Sequence, residues 1–443
     1  MLTHTSLRGA GFDITVGYTE MERKDVVQPL ALVLGGTNPH KALVENLKSR
    51  GYRTVLIDYL RSPPAAQVAD LHVCANAFDP EAVLQVAATH KPKLVISACL
   101  DRTIPVVAEV SHRLRLPSIY TPENALWYTD KAIMKQIMRK NGIPVAWDQT
   151  VQRMEDLNMN AMRYPMVLKP ADSTGSIGIA IVKGVEELHE CFKRAKQAST
   201  SGVVIAEEWL EGREFSIDCI VVDGKCNILL HRERMKRSTA DNSIHCYATV
   251  SPARLAAHEL EDIRDVIDRV PRAFGLRNAP LLAQGFLSND GQFRMVEIAV
   301  RLGGGPSSFR VVKLKTGFDL LNAAVDCNLD RPVLFERKDN GLVYASINLY
   351  ARAGVLGRVE GVEHLLRNGT ILEYYANKPS GTEFGPVTTA RNRFGAVVIE
   401  APSYSSLHSK IRSLYNGIRA LNSAGTDILD RNLAFDLPFQ RPS

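Results

Sequence analysis

"MVLKPADSTGSIGIAIV", residues 166–182, closes an apolar run on Lys169, passes through a Ser/Thr/Gly loop, and then resumes an alternating apolar run. The pattern reads as strand, loop, strand. A Walker A sequence differs, because its glycine-rich loop leads into a helix and ends in Gly-Lys-Ser/Thr. In this loop Ser173 and Ser176 supply donors while Gly175 and Gly178 remove side-chain bulk, so a hairpin can fold over phosphate oxygens with backbone N–H groups turned inward. Lys169 adds positive charge from the firmer strand. A plain solvent hairpin explains the same residues, and the segments downstream decide between the two.

The first of these is "VVIAEEWLEGREFSIDCIVVDGKCNILL", residues 203–230. An adenine ring needs a flat apolar slot and a few directional hydrogen bonds. The junction from Glu207 through Glu208 to Leu210 offers both, with exposed backbone groups and Trp209 or Leu210 to pack nearby. Glu214, beyond a turn at Glu211-Gly212, can accept from ribose hydroxyls, and Asp223-Gly224 reads as a hairpin turn. The bland alternative puts Trp209 in a core and both glutamates in solvent. The second segment is "LLAQGFLSNDGQFRMVEIAVRLGGG", residues 281–305. Asn289-Asp290-Gly291 turns one strand back on another and sets Gln284 near Glu297 across the hairpin. Oxygen-bearing side chains in apolar strands are costly to desolvate unless water, a metal or a hydrogen-bond partner satisfies them, and magnesium bridging nucleotide phosphates needs such ligands. Arg301 follows in strand phase and can hold a carboxylate or a transferring phosphoryl group, while Gly303 to Gly305 allow close backbone approach. Ordinary polar positions at a surface turn are the competing reading.

Upstream, "PLALVLGG" (29–36), "YRTVLIDY" (52–59), "KPKLVISACL" (91–100) and "LPSIY" (116–120) are strand candidates separated by helical segments, which predicts a parallel α/β unit over 29–120. Its Gly35-Gly36 pair does not complete a GxGxxG fingerprint. "TPENALWYTDKAIMKQIMRKNGIP" (121–144) opens a second region, with Thr129 or Asp130 capping a helix that Asn141-Gly142 and Pro144 stop. Lys131 and Lys135 lie one turn apart on it, as solvated charges or as phosphate ligands.

Composition bounds the classes. The chain has 443 residues, 45% apolar and 23% charged, with net charge +6, enough for about three domains. No basic run with interleaved aromatics points to nucleic acid, no segment is apolar enough for a membrane span, and residues 1–28 read as a polar extension rather than a signal peptide. Seven scattered cysteines without CxxC pairs argue against zinc and favour a reducing, cytoplasmic setting.

In combination these elements resemble the ATP-grasp superfamily, particularly its carboxylate–amine ligases, which include L-amino-acid ligases. The matching stretches are "DKAIMKQIMRKNGIP", "VLKPADSTGSIGI", "EEWLEGREF" and "QGF" through "VEIAVRLGGG", in that order over residues 120–320. The resemblance implies an ATP-grasp fold of α/β and α+β domains: the N-terminal parallel domain, a lysine and phosphate-loop region at 121–205, a central catalytic region at 206–340, and a small α+β domain at 341–443. It also implies ATP with Mg2+ (or Mn2+) as cofactors. Lys131 and Lys169 would contact phosphates, and the loop carrying Ser173, Thr174, Gly175, Ser176 and Gly178 would close over them. Glu207 and the backbone of Glu208, Trp209 and Leu210 would read adenine, and Glu214 the ribose. Glu297 would bind magnesium and Arg301 would serve the acyl-phosphate stage. Two positions depart from the family pattern. Gln284 stands where an acidic ligand is common, and the usual Glu-x-Asn becomes Glu297-Ile298-Ala299, which leaves fewer anionic ligands.

The expected activity is activation of a small carboxylate or amino acid as an acyl phosphate and its capture by an amine. A carboxylase acting on bicarbonate and a non-enzymatic ATP sensor are the alternatives. Arg232, Lys236 and Arg237 would guide an anion or merely solvate a loop. His245 would contact the substrate carboxylate or be structural, and Arg310 and Lys313 sit in a helix after the glycines. The last domain, with strands in "LVYASINLYARAG" and "FGAVVIEA" and a helix in "SYSSLHSKIRSLYNGIRAL", would cover the cleft or form the interface of a homodimer.

Overall fold

The computed structural model describes residues 28–172, 178–238, 244–385 and 390–433. Ser173, Thr174, Gly175 and Ser176, together with residues 1–27, lie outside them.

The N-terminal unit alternates β1 (Leu30–Leu34), α1 (Asn38–Ser49), β2 (Arg53–Ile57), β3 (Leu71–Val73), α2 (Pro80–His90), β4 (Leu94–Ile96) and α3 (Ile104–Leu114). Its strands are short apolar runs because helices cover the sheet, whose order is β3-β2-β1-β4, all parallel. Gly35 leaves β1 at φ +102°, a conformation that side chains other than glycine rarely adopt, and a Cβ there would sit 2.6 Å from Leu100. "LPSIY" is not a strand: with Pro117 inside it and no partner beside β4, it runs as coil into α4 (Pro122–Thr129). α5 (Lys131–Lys140) follows, and of the two proposed caps Asp130 makes the bonds, accepting from the N–H groups of Ala132 and Ile133.

A four-stranded antiparallel sheet comes next, ordered β5-β8-β6-β7 from β5 (Asp148–Val151), β6 (Met166–Pro170), β7 (Ala180–Val182) and β8 (Val204–Glu208). Leu188, Phe192 and Ala195 of α6 (Val185–Ala198) pack on Leu168 and Val182. Thus β6 and β7 are the two arms of the opening hairpin, with Leu168 opposite Ala180.

The largest element is an eight-stranded sheet, β13-β12-β9-β10-β11-β14-β18-β16. β9 (Gly212–Val222) turns into β10 (Lys225–Ser238) through Asp223 at φ +49° and Gly224 at φ +77°, the paired left-handed residues of a tight hairpin. β11 (Ile244–Ser251), α7 (Ala257–Asp268), α8 (Val270–Phe274), β12 (Ala279–Ser288) and β13 (Phe293–Ala299) complete the central region. Residues 231–238 and 244–251, which the sequence left open to a solvated loop, are therefore paired strand. A π-helical turn at Ser307–Val311 leads into α9 (Val312–Thr316) and α10 (Leu320–Asn328).

The same sheet then continues past residue 340, because β11 pairs antiparallel with β14 (Val343–Tyr350), Ala248 opposite Ile347. β15 (Gly354–Glu360), α11 (Val362–Arg367), β16 (Glu373–Ala376), β17 (Glu383–Phe384), β18 (Arg393–Ala401), α12 (Tyr404–Gly417) and β19 (Arg419–Asn422) finish the chain's described part, with β17-β15-β19 as a small separate sheet. The coil at 340/341, where a domain edge was expected, leads into β14 of the eight-stranded sheet. Among the described residues no helix is long and apolar enough to cross a membrane.

Candidate active site

A cavity of about 550 Å3 lies between the four-stranded sheet and the near end of the eight-stranded one. Lys169 reaches it from β6, at the last turn of apolar backbone before the loop, and is 3% exposed. Its Nζ donates to Glu207 Oε1 at 2.7 Å, and Lys135 Nζ donates to Glu207 Oε2 at 2.6 Å. Lys135 also reaches Asp148 at 3.2 Å, whose carboxylate takes Arg139 as well. The result is an alternating chain of charges that starts on the cavity floor with Lys169, Glu207 and Lys135 and ends on Asp148 and Arg139, which do not line it. Burial pulls the Lys169 ammonium down to about 8, against the attraction of Glu207. Burial alone would raise the Glu207 carboxyl, but the two lysines overcome it and hold it down at about 2. Lys135 is therefore not a solvated charge: it is 1% exposed and shares the counter-ion of Lys169.

Glu207 enters this site as a counter-ion for two lysines, a role the adenine reading did not anticipate. Glu208 hydrogen bonds to the backbone of Trp147 in both directions, its N–H donating to the Trp147 carbonyl and its carboxylate accepting from the Trp147 N–H. Trp209 and Leu210 line the cavity with Phe286 and Met295, so the apolar slot is present. Glu214 lines it too, yet its carboxylate is paired with Arg234 and Lys236 of β10. Those two cations were missed as a unit in the sequence, although their spacing of two on a strand puts them on one face. Gly178 sits at φ +75°, where a Cβ would meet Pro170 and Ala198.

The β12–β13 hairpin sets Gln284 directly opposite Glu297, and the Gln284 amide donates to Glu297 Oε1 at 2.7 Å. Lys131 Nζ stands 3.6 Å from Glu297 Oε2. Among the described residues no group of three His, Cys, Asp or Glu could hold a metal ion. One partly exposed carboxylate and an amide oxygen do fit a magnesium ion that takes most of its ligands from nucleotide phosphates and water. They do not fit a cage made by protein alone.

Arg301 is half-buried and clamps Asp101 of the N-terminal unit, Nε to Oδ1 at 2.7 Å and Nη2 to Oδ2 at 2.6 Å, while Nη1 donates to the Leu302 carbonyl. Burial disfavours its charge, and Asp101 outweighs that and raises its pKa. Nothing in the sequence marks Asp101 as its partner, 200 positions away. Just beyond it, the Gly303 N–H donates to Ser308 Oγ at 2.8 Å, Ser308 hydrogen bonds Asp218, and Asp218 accepts from Arg232 Nε at 2.7 Å. Arg232 is thus a buried brace for the glycine loop rather than an anion guide. His245 does not line the nucleotide-sized cavity; its ring packs edge-on against Tyr350 with centroids 5.9 Å apart. Arg310 pairs with Glu373 and Lys313 with Asp319, whereas Lys236 and Arg237 line the cavity.

Two sheets enclosing a lysine-floored cavity, with an apolar slot at one side and a carboxylate hairpin at the other, define the grasp architecture of nucleotide-using proteins. A family model for the ATP-grasp domain matches residues 162–308, and one for L-amino acid ligase C-terminal domain 2 matches residues 348–420. Residues 162–308 thus form an ATP-grasp domain. The chain is 24% identical over 261 residues to an L-arginine-specific L-amino acid ligase of Bacillus subtilis, an alignment that takes in 57% of this chain and 62% of that relative's length. The fold is that of an L-amino acid ligase from Bacillus licheniformis (TM-score 0.76, 19% identity, 89% of this chain and 99% of that one). It is also that of a biotin carboxylase from Campylobacter jejuni (TM-score 0.71, 15% identity, 92% and 94%).

Proposed function

We propose that the chain is an ATP-dependent carboxylate–amine ligase that forms an amide or peptide bond and releases ADP and phosphate. The observation that carries this reading is the join between the cavity and the C-terminal unit. The region matching L-amino acid ligase C-terminal domain 2 extends the very sheet that walls the nucleotide-sized cavity.

In this reading ATP lies in the 550 Å3 cavity with its base in the Trp209, Leu210 and Phe286 slot and its phosphates over Lys169 and Lys131. Glu207 keeps the two buried lysines charged and aimed. A substrate carboxylate oxygen attacks the γ-phosphorus, the bond to the bridging oxygen breaks, and ADP leaves. The amine nitrogen then attacks the acyl carbon of the resulting acyl phosphate, inorganic phosphate departs, and the nitrogen loses a proton. Lys169 and Arg301 spread the charge that builds on the phosphoryl oxygens. Glu297, with Gln284, would hold magnesium, which supplies neutralisation of the β- and γ-phosphate charge. Arg301 must share its guanidinium between Asp101 and the substrate, so its role is orientation as much as charge.

The test is a panel of carboxylates and amines, read by phosphate release and by product mass. ADP formation that needs a carboxylate, with an amide product that needs the amine, supports the ligase. ADP formation with bicarbonate alone overturns it in favour of a carboxylase, the reading that the likeness to biotin carboxylase supports.

A further inference from the structure

A second cavity, of about 310 Å3, opens at the carboxyl ends of β1 and β2. That is where open parallel sheets accept ligands. Gly304 and Gly305 close one side, just past Arg301, and Asn348 and Tyr375 of the C-terminal region close another. Its size suits one small metabolite rather than a nucleotide.

Asp58 lines this cavity immediately after β2 and is only 7% exposed. Oδ1 accepts from the Leu60 N–H at 2.8 Å. Oδ2 stands over the turn after β1, 3.0 Å from the place a Cβ on Gly36 would take. Among the described residues no lysine, arginine or histidine forms an ion pair with it. The cations in the lining, Lys378 and Arg393, belong to the C-terminal region, and Arg393 is hydrogen bonded to the Tyr350 hydroxyl at 3.1 Å. A carboxylate so far withdrawn from water, with one backbone donor and no counter-charge, is costly to keep. A positively charged ligand group removes that cost. Beside it, Tyr59 is 59% exposed and its ring centroid lies 6.4 Å from that of Phe78, so the same wall offers aromatic surface to the apolar part of such a ligand.

We propose that Asp58 receives the ammonium group of the carboxylate substrate, and that it thereby selects donors that carry a primary amine over those that do not. The inference rests on the ligase reading, because the neighbouring glycine loop and Arg301 are where that reading places the substrate's carboxyl group. Asp58 is a specificity-determining residue that does not touch the phosphoryl group.

The test uses the full chain, ATP, magnesium and hydroxylamine as a common amine, with matched donors: L-leucine against 4-methylpentanoate and L-phenylalanine against 3-phenylpropanoate. Wild type should prefer the amino acids by about tenfold to a hundredfold in kcat/KM, the range of one charge-assisted hydrogen bond. Asp58→Asn keeps the acceptor for the Leu60 N–H, and it should erase that preference by losing rate on the amino acids alone. Its unfolding midpoint should not fall. A variant that keeps the preference, or loses rate equally on both members of each pair, overturns the inference while leaving the ligase reading intact. If wild type forms ADP with no donor, the ligase reading fails, and the inference is judged by thermal unfolding. L-leucine raising the midpoint of wild type but not of Asp58→Asn sustains it, and no shift in wild type refutes it.

Discussion

Replacing Glu207 with glutamine removes the shared counter-ion of two buried lysines and leaves the shape of the site in place. Lys135 keeps Asp148 at 3.2 Å, whereas Lys169 keeps no carboxylate among the described residues. Removing one partner of a buried ion pair costs about 3–5 kcal/mol when the other charge is trapped. Lys169 has an escape, because burial already draws its pKa down to about 8 with Glu207 present, and without that attraction shedding the proton at pH 7 costs at most about 1.4 kcal/mol. The destabilisation of Glu207→Gln should therefore stay near about 1–3 kcal/mol, and the variant should carry a neutral Lys169 at pH 7. A neutral amine forfeits a charged hydrogen bond to phosphate of about 1.5–3 kcal/mol, so ATP affinity should fall about tenfold to a hundredfold. The sign of the pH dependence follows from the lysine, which loses positive charge as pH rises. Wild-type kcat/KM for ATP should fall above pH about 8, and in Glu207→Gln the fall should begin at least about one unit lower, with affinity regained on acidification. Calorimetric ATP titrations and initial rates from pH 6 to 9 read both effects. An alkaline limb that stays in place in the variant would refute the assignment of Lys169 to phosphate.

Arg301→Lys should leave ATP binding intact and depress carboxylate-dependent ADP release in single turnover, since a point charge cannot chelate Asp101 and a substrate oxygen as a planar guanidinium does; wild-type ADP release would exclude Arg301 from the reaction. In magnesium titrations of turnover, Glu297→Gln should weaken apparent metal affinity more than Gln284→Ala, because only Glu297 brings negative charge, and the opposite order would mean the hairpin holds substrate rather than metal. Ser308→Ala strands the Gly303 N–H and one oxygen of Asp218, so urea denaturation should show a loss of about 1–3 kcal/mol, and an unchanged midpoint would remove the proposed brace on the glycine loop.

What the sequence revealed was local. The Asp223-Gly224 hairpin, the opposition of Gln284 to Glu297 and the cap at Asp130 each follow from residues no more than 13 positions apart, where turn chemistry and strand phase fix geometry. The order of motifs added the grasp fold. Pairings between distant segments were not legible. Arg301 and Asp101 are 200 positions apart, Asp218 and Ser308 are 90 apart, and Glu207 and Lys135 are 72 apart. No periodicity encodes such meetings, and a lysine on an amphipathic helix looks solvated until the sheet it faces is known. Arg232 stayed open between anion guide and solvated loop, and Arg234 went unremarked, for a related reason: "HRERMKRS" has the charge density of a surface loop, and its burial depends on carboxylates supplied by β9.

The continuity of the large sheet past residue 340 bears on how such proteins can be recombined. Cutting the chain there to trade substrate-handling regions with a relative would strip β14 from β11 and expose the backbone groups that now pair Ala248 with Ile347 and Val250 with Ala345. A raw edge of that kind, beside the apolar Tyr247, Ala248 and Val250, invites association with other strands before any graft can dock. A chimaera is better spliced where few inter-strand bonds cross, such as the coil at 116–121 that joins the N-terminal sheet to the rest. The unit of exchange is then the parallel sheet with its Asp58 wall, and the sheet that joins nucleotide cavity to C-terminal unit travels as a single inheritance.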